Sequence, residues 1–283
     1  MNKYSEKRVV ITGAGGGFGR AMALEFARLG WKIGIADIND IGSKETLKMV
    51  TQEGGEGEVF NMDVTDPDAV KKMADHFFSA WQGVDILVNN AGIAVAGAVG
   101  DVPLENWKSV LDINFWGMLY GCHEFIPRMK TQGGGHIVNV ASAAGLLCLT
   151  SMGPYSVSKA AVISLSETLR VEVAPYNIGI TAACPMFFNT GLLDEMKSTD
   201  PWLSEVAKIA FENGLSAEVV AKRVVKAVLR NKCYVLPMFF GKLLWLNKRL
   251  TPSLYYNLTA WLNRRGWMKP LYLKLARWGI LSK

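Results

Sequence analysis

Histidine, cysteine and long apolar runs are all scarce in this chain of 283 residues. Its three histidines, His76, His123 and His136, are too few and too dispersed for a metal cluster. Cys122, Cys148, Cys184 and Cys233 form no C-x-x-C pair. That argues against a zinc site and a disulfide framework, so no metal and reduced thiols are expected. No run of about 18 apolar residues is present, which argues against a membrane-crossing helix. Residues 1–8 are polar and lead straight into a strand-like stretch. Without an apolar leader segment, export is not expected and a cytoplasmic protein is. Acid is missing from one end: no Asp or Glu follows Glu218. Residues 219–283 carry +14 and residues 1–218 carry −8, which marks two regions with different surroundings.

What is present is enough to bury a large core: half of the residues are apolar, in a length near the upper limit for one domain. A fifth are charged and 28 are glycine, so the composition is neither disordered nor collagen-like. Strand signals fall at residues 8–12, 31–37, 58–63, 85–89, 136–141 and 178–184. Helix signals fall between them at 20–29, 43–53, 67–81 (with Asp66 as cap), 106–130 and 154–174. Nearly continuous apolar strands separated by helices predict an α/β fold, a doubly wound parallel sheet covered on both faces. Residues 185–214 read as long, apolar and irregular, followed by a helix at 217–229 and a short last strand at 233–236. This predicts one catalytic domain over residues 1–240 and an extension over 241–283.

Thr12-Gly13-Ala14-Gly15-Gly16-Gly17-Phe18-Gly19 lies where the first strand ends and the first helix begins. A tight turn there needs positive φ, and main-chain N–H groups must come close enough to bond a pyrophosphate. The helix N-terminus adds positive potential. Any loop can be glycine-rich. This one follows the first strand, opens a helix and precedes a second strand ending in acid, which makes it a dinucleotide-binding fingerprint of Rossmann type. Gly13, Gly15, Gly16, Gly17, Phe18 and Gly19 are its residues. Asp37 ends the second strand, 18 residues past Gly19. A carboxylate there accepts from an adenosine ribose 2′-hydroxyl and repels a 2′-phosphate. Neither Gly16 nor Ile38 beside it is basic, so NAD is expected over NADP. The alternative is that Asp37 merely caps the next turn.

Tyr155-Ser156-Val157-Ser158-Lys159 places Tyr155 and Lys159 at i and i+4, on one helix face. An ammonium beside a phenol favours the phenolate and lowers its pKa from about 10, toward a range where it can exchange a proton with an alcohol or carbonyl oxygen. The pair alone is common by chance. Taken with Thr12 to Gly19, Asp63-Val64-Thr65-Asp66, Asn89-Asn90-Ala91-Gly92, Asn114 and Ser142, it makes the chain resemble the short-chain dehydrogenase/reductase family over residues 9–190.

The resemblance implies Tyr155 as general acid/base. Lys159 would hold the ribose hydroxyls and depress the Tyr155 pKa. Ser142 would orient the reacting oxygen, and Asn114 would hold a relay water. It further implies adenine contacts from Asp63 and Val64, and a cleft lined by Asn90, Ala91 and Gly92. Thr190 would bond the carboxamide, and the backbone near Pro185 would position the nicotinamide. The plainer alternatives are a turn serine at Ser142 and an Asn114 that only bonds backbone at a helix irregularity. One departure stands out: the family has Pro-Gly after the sixth strand, and this chain has Pro185-Met186. That puts substrate size in question.

Val95 follows the fourth strand; Leu146, Leu149 and Met152 precede Tyr155; Met186, Phe187, Phe188 and Leu192 follow the sixth strand. Such loops converge at the carboxyl ends of the strands, where ligands bind. With almost no charge on offer, they predict a lipophilic secondary alcohol (steroid-, retinoid- or long-chain-like) rather than a sugar or acid; the alternative is a lid that only packs. Alcohol oxidation with NAD is the expected direction. A carbonyl reductase and a non-catalytic nucleotide sensor are the alternatives.

The extension reads as short helices at 243–250, 253–265 and 271–281, with Trp245, Trp261, Trp267 and Trp278 among Lys and Arg. That makeup suits a segment at a lipid headgroup boundary, peripheral to a membrane. An arm across a dimer and a lid on the pocket are the alternatives. No groove-reading motif accompanies the charge, so nucleic acid is not expected. The family resemblance implies that the helices at 106–130 and 154–174 meet a second copy, making a homodimer or homotetramer.

Overall fold

The computed structural model describes residues 4, 6–190 and 196–282. The chain begins β1 (Arg8–Thr12), α1 (Gly17–Arg28), β2 (Lys32–Asp37), α2 (Asp40–Gln52), β3 (Gly57–Asn61), α3 (Pro67–Ala80), β4 (Ile86–Asn89) and β5 (Val95–Ala96). It continues α4 (Leu104–Leu111), α5 (Gly117–Gln132), β6 (Gly135–Val140), α6 (Ala143–Leu147), α7 (Gly153–Glu172), β7 (Ile178–Ala183) and β8 (Lys197–Ser198). It closes with α8 (Pro201–Glu212), α9 (Ala217–Leu229), β9 (Tyr234–Val235), α10 (Phe239–Leu250), α11 (Pro252–Arg264) and α12 (Met268–Arg277).

Seven strands form one parallel sheet in the order β3-β2-β1-β4-β6-β7-β9. The chain winds outward from β1 in one direction, then returns to wind from β4 in the other. Neighbouring loops therefore diverge at the carboxyl ends of β1 and β4, and a crevice opens there.

Alternation along β1 covers both faces of the sheet. Val9 and Ile11 join Phe26 and Ile33 under α1 and α9, while Val10 joins Phe77, Leu87 and Phe125 under α3 and α5. Asp66 caps α3 as its sequence suggests, accepting from Asp68 N at 2.9 Å, with Pro67 in the first turn.

Two expectations change. The stretch 185–214 is not irregular throughout, because it contains α8. Leu203, Val206, Ala207 and Ala210 are buried at i, i+3, i+4 and i+7, and Val206 and Ala210 pack with Ala276 of α12. The last tail helix, expected at 271–281, starts earlier and ends earlier as α12, with Pro270 in its first turn, where a missing N–H costs nothing. Among the described residues, no helix is long and apolar enough to cross a membrane, and no cluster of three or more His, Cys, Asp or Glu side chains could hold a metal.

Candidate active site

The crevice is stitched shut at its base by two side chains. Asn90 Nδ2 donates to Thr12 O at 2.9 Å and to Gly13 O at 3.0 Å. Thr12 Oγ1 accepts from Asn90 N at 3.0 Å and Ala91 N at 3.2 Å. The loops after β1 and β4 are thereby fixed to one another. The glycine loop then folds tightly over the start of α1. A Cβ on Gly19 would lie 2.1 Å from Gly13 O, so no side chain fits there. Asp37, at the end of β2, is held facing this loop, accepting from Gly15 N and Asn39 N at 2.8 Å each. Each carboxylate oxygen keeps a second lone pair for a ligand hydroxyl.

The resulting cleft has a volume of about 500 Å³. Gly13, Gly15, Gly16, Gly17, Phe18, Asp37, Ile38, Asp63, Val64, Asn90, Ala91 and Gly92 border one half of it. Ser142, Tyr155, Lys159, Pro185 and Thr190 border the middle, Leu149, Met152, Met186 and Phe187 border the rest, and Phe188 lines the cleft too. Gly19 and Asn114 stand behind the wall.

Val95 and Leu146 do not line the cleft. Val95 packs with Val102 and Val110, and Leu146 with Leu147, Val162 and Ile163. The short α6 turns Leu146 into the protein while Leu149, beyond the helix, faces the cleft. Phe188 meets Phe18 of the glycine loop edge-on, with ring centroids 5.0 Å apart, and so sits toward the glycine half. Leu192 lies outside the described residues. Leu203, Ala207 and Phe211 of α8 also line the cleft. They were missed because the helix was; its signal was Pro201 following Asp200, ahead of an apolar i, i+3, i+4 pattern. Ile113, Met62 and Asn39 line it too and carry no motif.

α7 presents Tyr155 and Lys159 on one face, with Lys159 Nζ 5.8 Å from the Tyr155 ring centroid. Lys159 is only 3% exposed and donates to Val140 O at 2.8 Å. Burial lowers its pKa to about 7. Burial raises the Tyr155 pKa, and a hydrogen bond with the Ser142 side chain offsets part of that rise. The sequence suggests an ammonium lowering the phenol; within the protein alone, desolvation of both groups prevails instead. Ser142 Oγ also accepts from Ala144 N at 3.1 Å and lies 3.4 Å from Pro185 O, which holds its hydroxyl beside the phenol.

Asn114 lies in a π-helical stretch, Asp112–Trp116, between α4 and α5. Its side chain clamps the loop after β4: Oδ1 accepts from Ile93 N at 2.9 Å and Nδ2 donates to Ile93 O at 3.0 Å. Nδ2 also donates to Ser158 Oγ at 3.1 Å. A π-turn inside an α-helix is a recurrent mark of a functional position.

The glycine half fits a dinucleotide on steric grounds. Gly16 leaves open space beside the loop, with nothing within 4 Å of where its Cβ would stand, and a Cβ on Gly15 would crowd the Asp37 carboxylate at 3.0 Å. A Cβ on Gly92 would likewise crowd Asn114 Oδ1 at 3.0 Å and Lys159 Nζ at 3.3 Å.

Residues 7–201 match the family model for the short chain dehydrogenase. The chain belongs to that family. Among relatives of this short-chain dehydrogenase, the putative oxidoreductase SadH of Mycobacterium tuberculosis is 30% identical over 265 residues, which are 92% of this chain and 96% of SadH. The human epidermal retinol dehydrogenase 2 is 33% identical over 241 residues, covering 84% of this chain and 74% of the relative. The probable oxidoreductase EphD of M. tuberculosis is 37% identical over 241 residues; the match covers 81% of this chain but only 40% of EphD.

Among solved structures, a short chain dehydrogenase/reductase from Burkholderia phymatum in complex with NAD superposes with a TM-score of 0.84 at 32% identity, covering 90% of this chain and 96% of that one. The chain thus has the single-domain Rossmann-type fold of this family, with a helical C-terminal region.

At the family's Pro-Gly position, the side chain of Met186 points toward α10. A Cβ on Gly241 would lie 2.7 Å from Met186 Sδ. The methionine therefore joins the cleft wall to the C-terminal helices.

Proposed function

We propose that this short-chain dehydrogenase oxidises a lipophilic secondary alcohol with NAD, with Tyr155 as the proton acceptor. The observation that carries the reading is the pairing of Ser142 and Tyr155 where a glycine-lined half meets an apolar half. Bound NAD supplies the hydride acceptor. Tyr155, as phenolate, would take the alcohol's hydroxyl proton. Ser142 donates to the same oxygen and fixes its distance from Tyr155. Lys159, with one donor spent on Val140 O, keeps others for the ribose hydroxyls. Asn114 spends its side-chain amide on Ile93 and Ser158, so its part in a proton relay falls to its main chain. Asp37 binds the adenosine ribose.

Among the described residues, Lys159 is the one basic side chain lining the cleft, so a 2′-phosphate would find no partner beside Asp37. The basic residue close to the loop, Arg20, is spent on Gly15 O and Glu45 at 2.6 Å each. The apolar far wall, with Leu149, Met152, Phe187 and Phe211, supports a lipophilic substrate. So does likeness to a relative named as a retinol dehydrogenase. Exposed Trp116, Val157 and Val171 on α5's approach and on α7 support contact with a second copy.

The reverse reaction, carbonyl reduction, is the second reading. It is favoured by the raised Tyr155 pKa, because a protonated phenol is ready to donate. The deciding experiment follows NADH formation from NAD across sterols, retinol and long-chain secondary alcohols, with Tyr155→Phe as the blank. Turnover confined to bulky apolar alcohols is the expected result. Turnover of small polar alcohols alone would refute the substrate class. Turnover only of ketones with NADH would reverse the direction, and NAD binding with no turnover either way would make the protein a sensor.

A further inference from the structure

A helix packed on a core turns its apolar stripe inward. α10 and α11 also turn one outward. On α10, Phe239, Leu243, Leu246 and Leu250 recur at i, i+4, i+7 and i+11, and each is more than half exposed. On α11, Leu254, Leu258 and Trp261 recur at i, i+4 and i+7, again exposed, and no residue of α11 is buried.

This outward stripe does not come from a loose tail. Gly241 of α10 is buried against Met186, Leu244 and Trp245 pack on the cluster beneath α7, and Lys248 Nζ donates to Leu146 O at 2.6 Å. The inner side is thus occupied, and the outer side is a second apolar surface.

Its charge selects the partner. Lys242, Arg249, Arg264, Arg265 and Lys269 are exposed around the stripe, and no acid occurs anywhere after Glu218. Arg249 lies over the Trp245 ring at 5.5 Å and Arg265 over Trp261 at 5.9 Å, so cations and indoles share the same level of the surface. Two copies meeting here would press acid-free basic surfaces together. An anionic lipid surface answers both features at once, with acyl chains for the stripe and phosphates for the cations.

We infer that the outward face of α10 and α11 docks on an anionic membrane surface. The apolar stripe lies at the headgroup boundary and the flanking Lys and Arg on lipid phosphates. This goes beyond the proposed reaction and is tested without it. The full-length protein is co-sedimented with vesicles of phosphatidylcholine containing phosphatidylglycerol, and with phosphatidylcholine alone, at about 0.1 M salt. NAD affinity and the thermal midpoint are read on the same samples.

The expected result is binding to the anionic vesicles, at least about ten-fold weaker on neutral ones and weakened by added salt. Leu243→Glu with Leu254→Glu should abolish it. Arg264→Gln with Arg265→Gln should weaken it about 25-fold, at roughly five-fold per basic residue. NAD affinity and thermal midpoint should stay unchanged in both. Equal sedimentation of wild type and both variants would overturn the inference. So would a wild type that ignores vesicles but forms a dimer that the Leu243→Glu, Leu254→Glu variant splits, which would make a second copy the occupant.

Discussion

On one side of the cleft the wall is largely main chain, with Gly13, Gly15, Gly16 and Gly17 presenting N–H groups and carbonyls. On the other it is long side chains: Leu149, Met152, Met186, Phe187 and Phe211. The first wall is held in shape by what cannot stand behind it, because one added methyl at Gly19 would overlap a carbonyl. The second is determined by bulk, and a methionine or leucine of similar volume meets the same need. A ligand common to a whole family suits the first kind of wall, and a ligand particular to one member suits the second. The Tyr155–Ser142 pair sits on the seam and belongs to neither.

Tyr155→Phe tests the seam most severely. Oxidation should fall by about 10²- to 10⁴-fold while NAD affinity, read by fluorescence, holds. Parallel loss of both would place Tyr155 in the cofactor wall.

Lys159 gives the next largest effect. Its pKa lies below the ordinary lysine value, so the unfolded chain holds the extra proton between about pH 7 and pH 10. The burial penalty is therefore full below about pH 7. The ligand-free protein should gain stability as pH rises from there, by on the order of a few kcal/mol. Denaturant melts of Lys159→Met should show that slope gone.

Gly19→Ala should cost about 1–3 kcal/mol of stability and weaken NAD binding, whereas Met186→Leu should cost less than about 1.5 kcal/mol and alter mainly KM for the alcohol. Equal effects from the two would erase the distinction between the walls. Asp37→Ala should reduce the preference for NAD over NADP by roughly ten-fold, the loss of about one hydrogen bond to a charged group. Competition between the two cofactors reads this directly.

The sheet and the glycine half were legible in the sequence for a physical reason: both are local. Residues 8–12 form β1 within the limits that their apolar run suggests, and the loop after it announces its glycines in order. The Lys159 environment was not legible, because its desolvation comes from β6, β7 and the loops around them rather than from α7. Nor was α8, whose apolar face is buried by α12, an element more than a helix-length of chain away. Met186 could be seen to depart from the family pattern. That its side chain lodges against Gly241, however, depends on where the last helices pack.

The π-turn at Asp112–Trp116 bears on how this chain tolerates length changes. One extra residue is wound into a helix that would otherwise run unbroken from α4 into α5. Deleting a residue there would give the more regular helix and remove a local weakness. The flanking helices would keep their register, but the widened turn would close and the residues within it would change their facing. Asn114 would then release Ile93 and Ser158, and the loop after β4 would lose its clamp. A variant shortened in this segment should keep its helix and lose its cleft, so selection for stability alone would shorten it and selection for turnover would keep the extra residue.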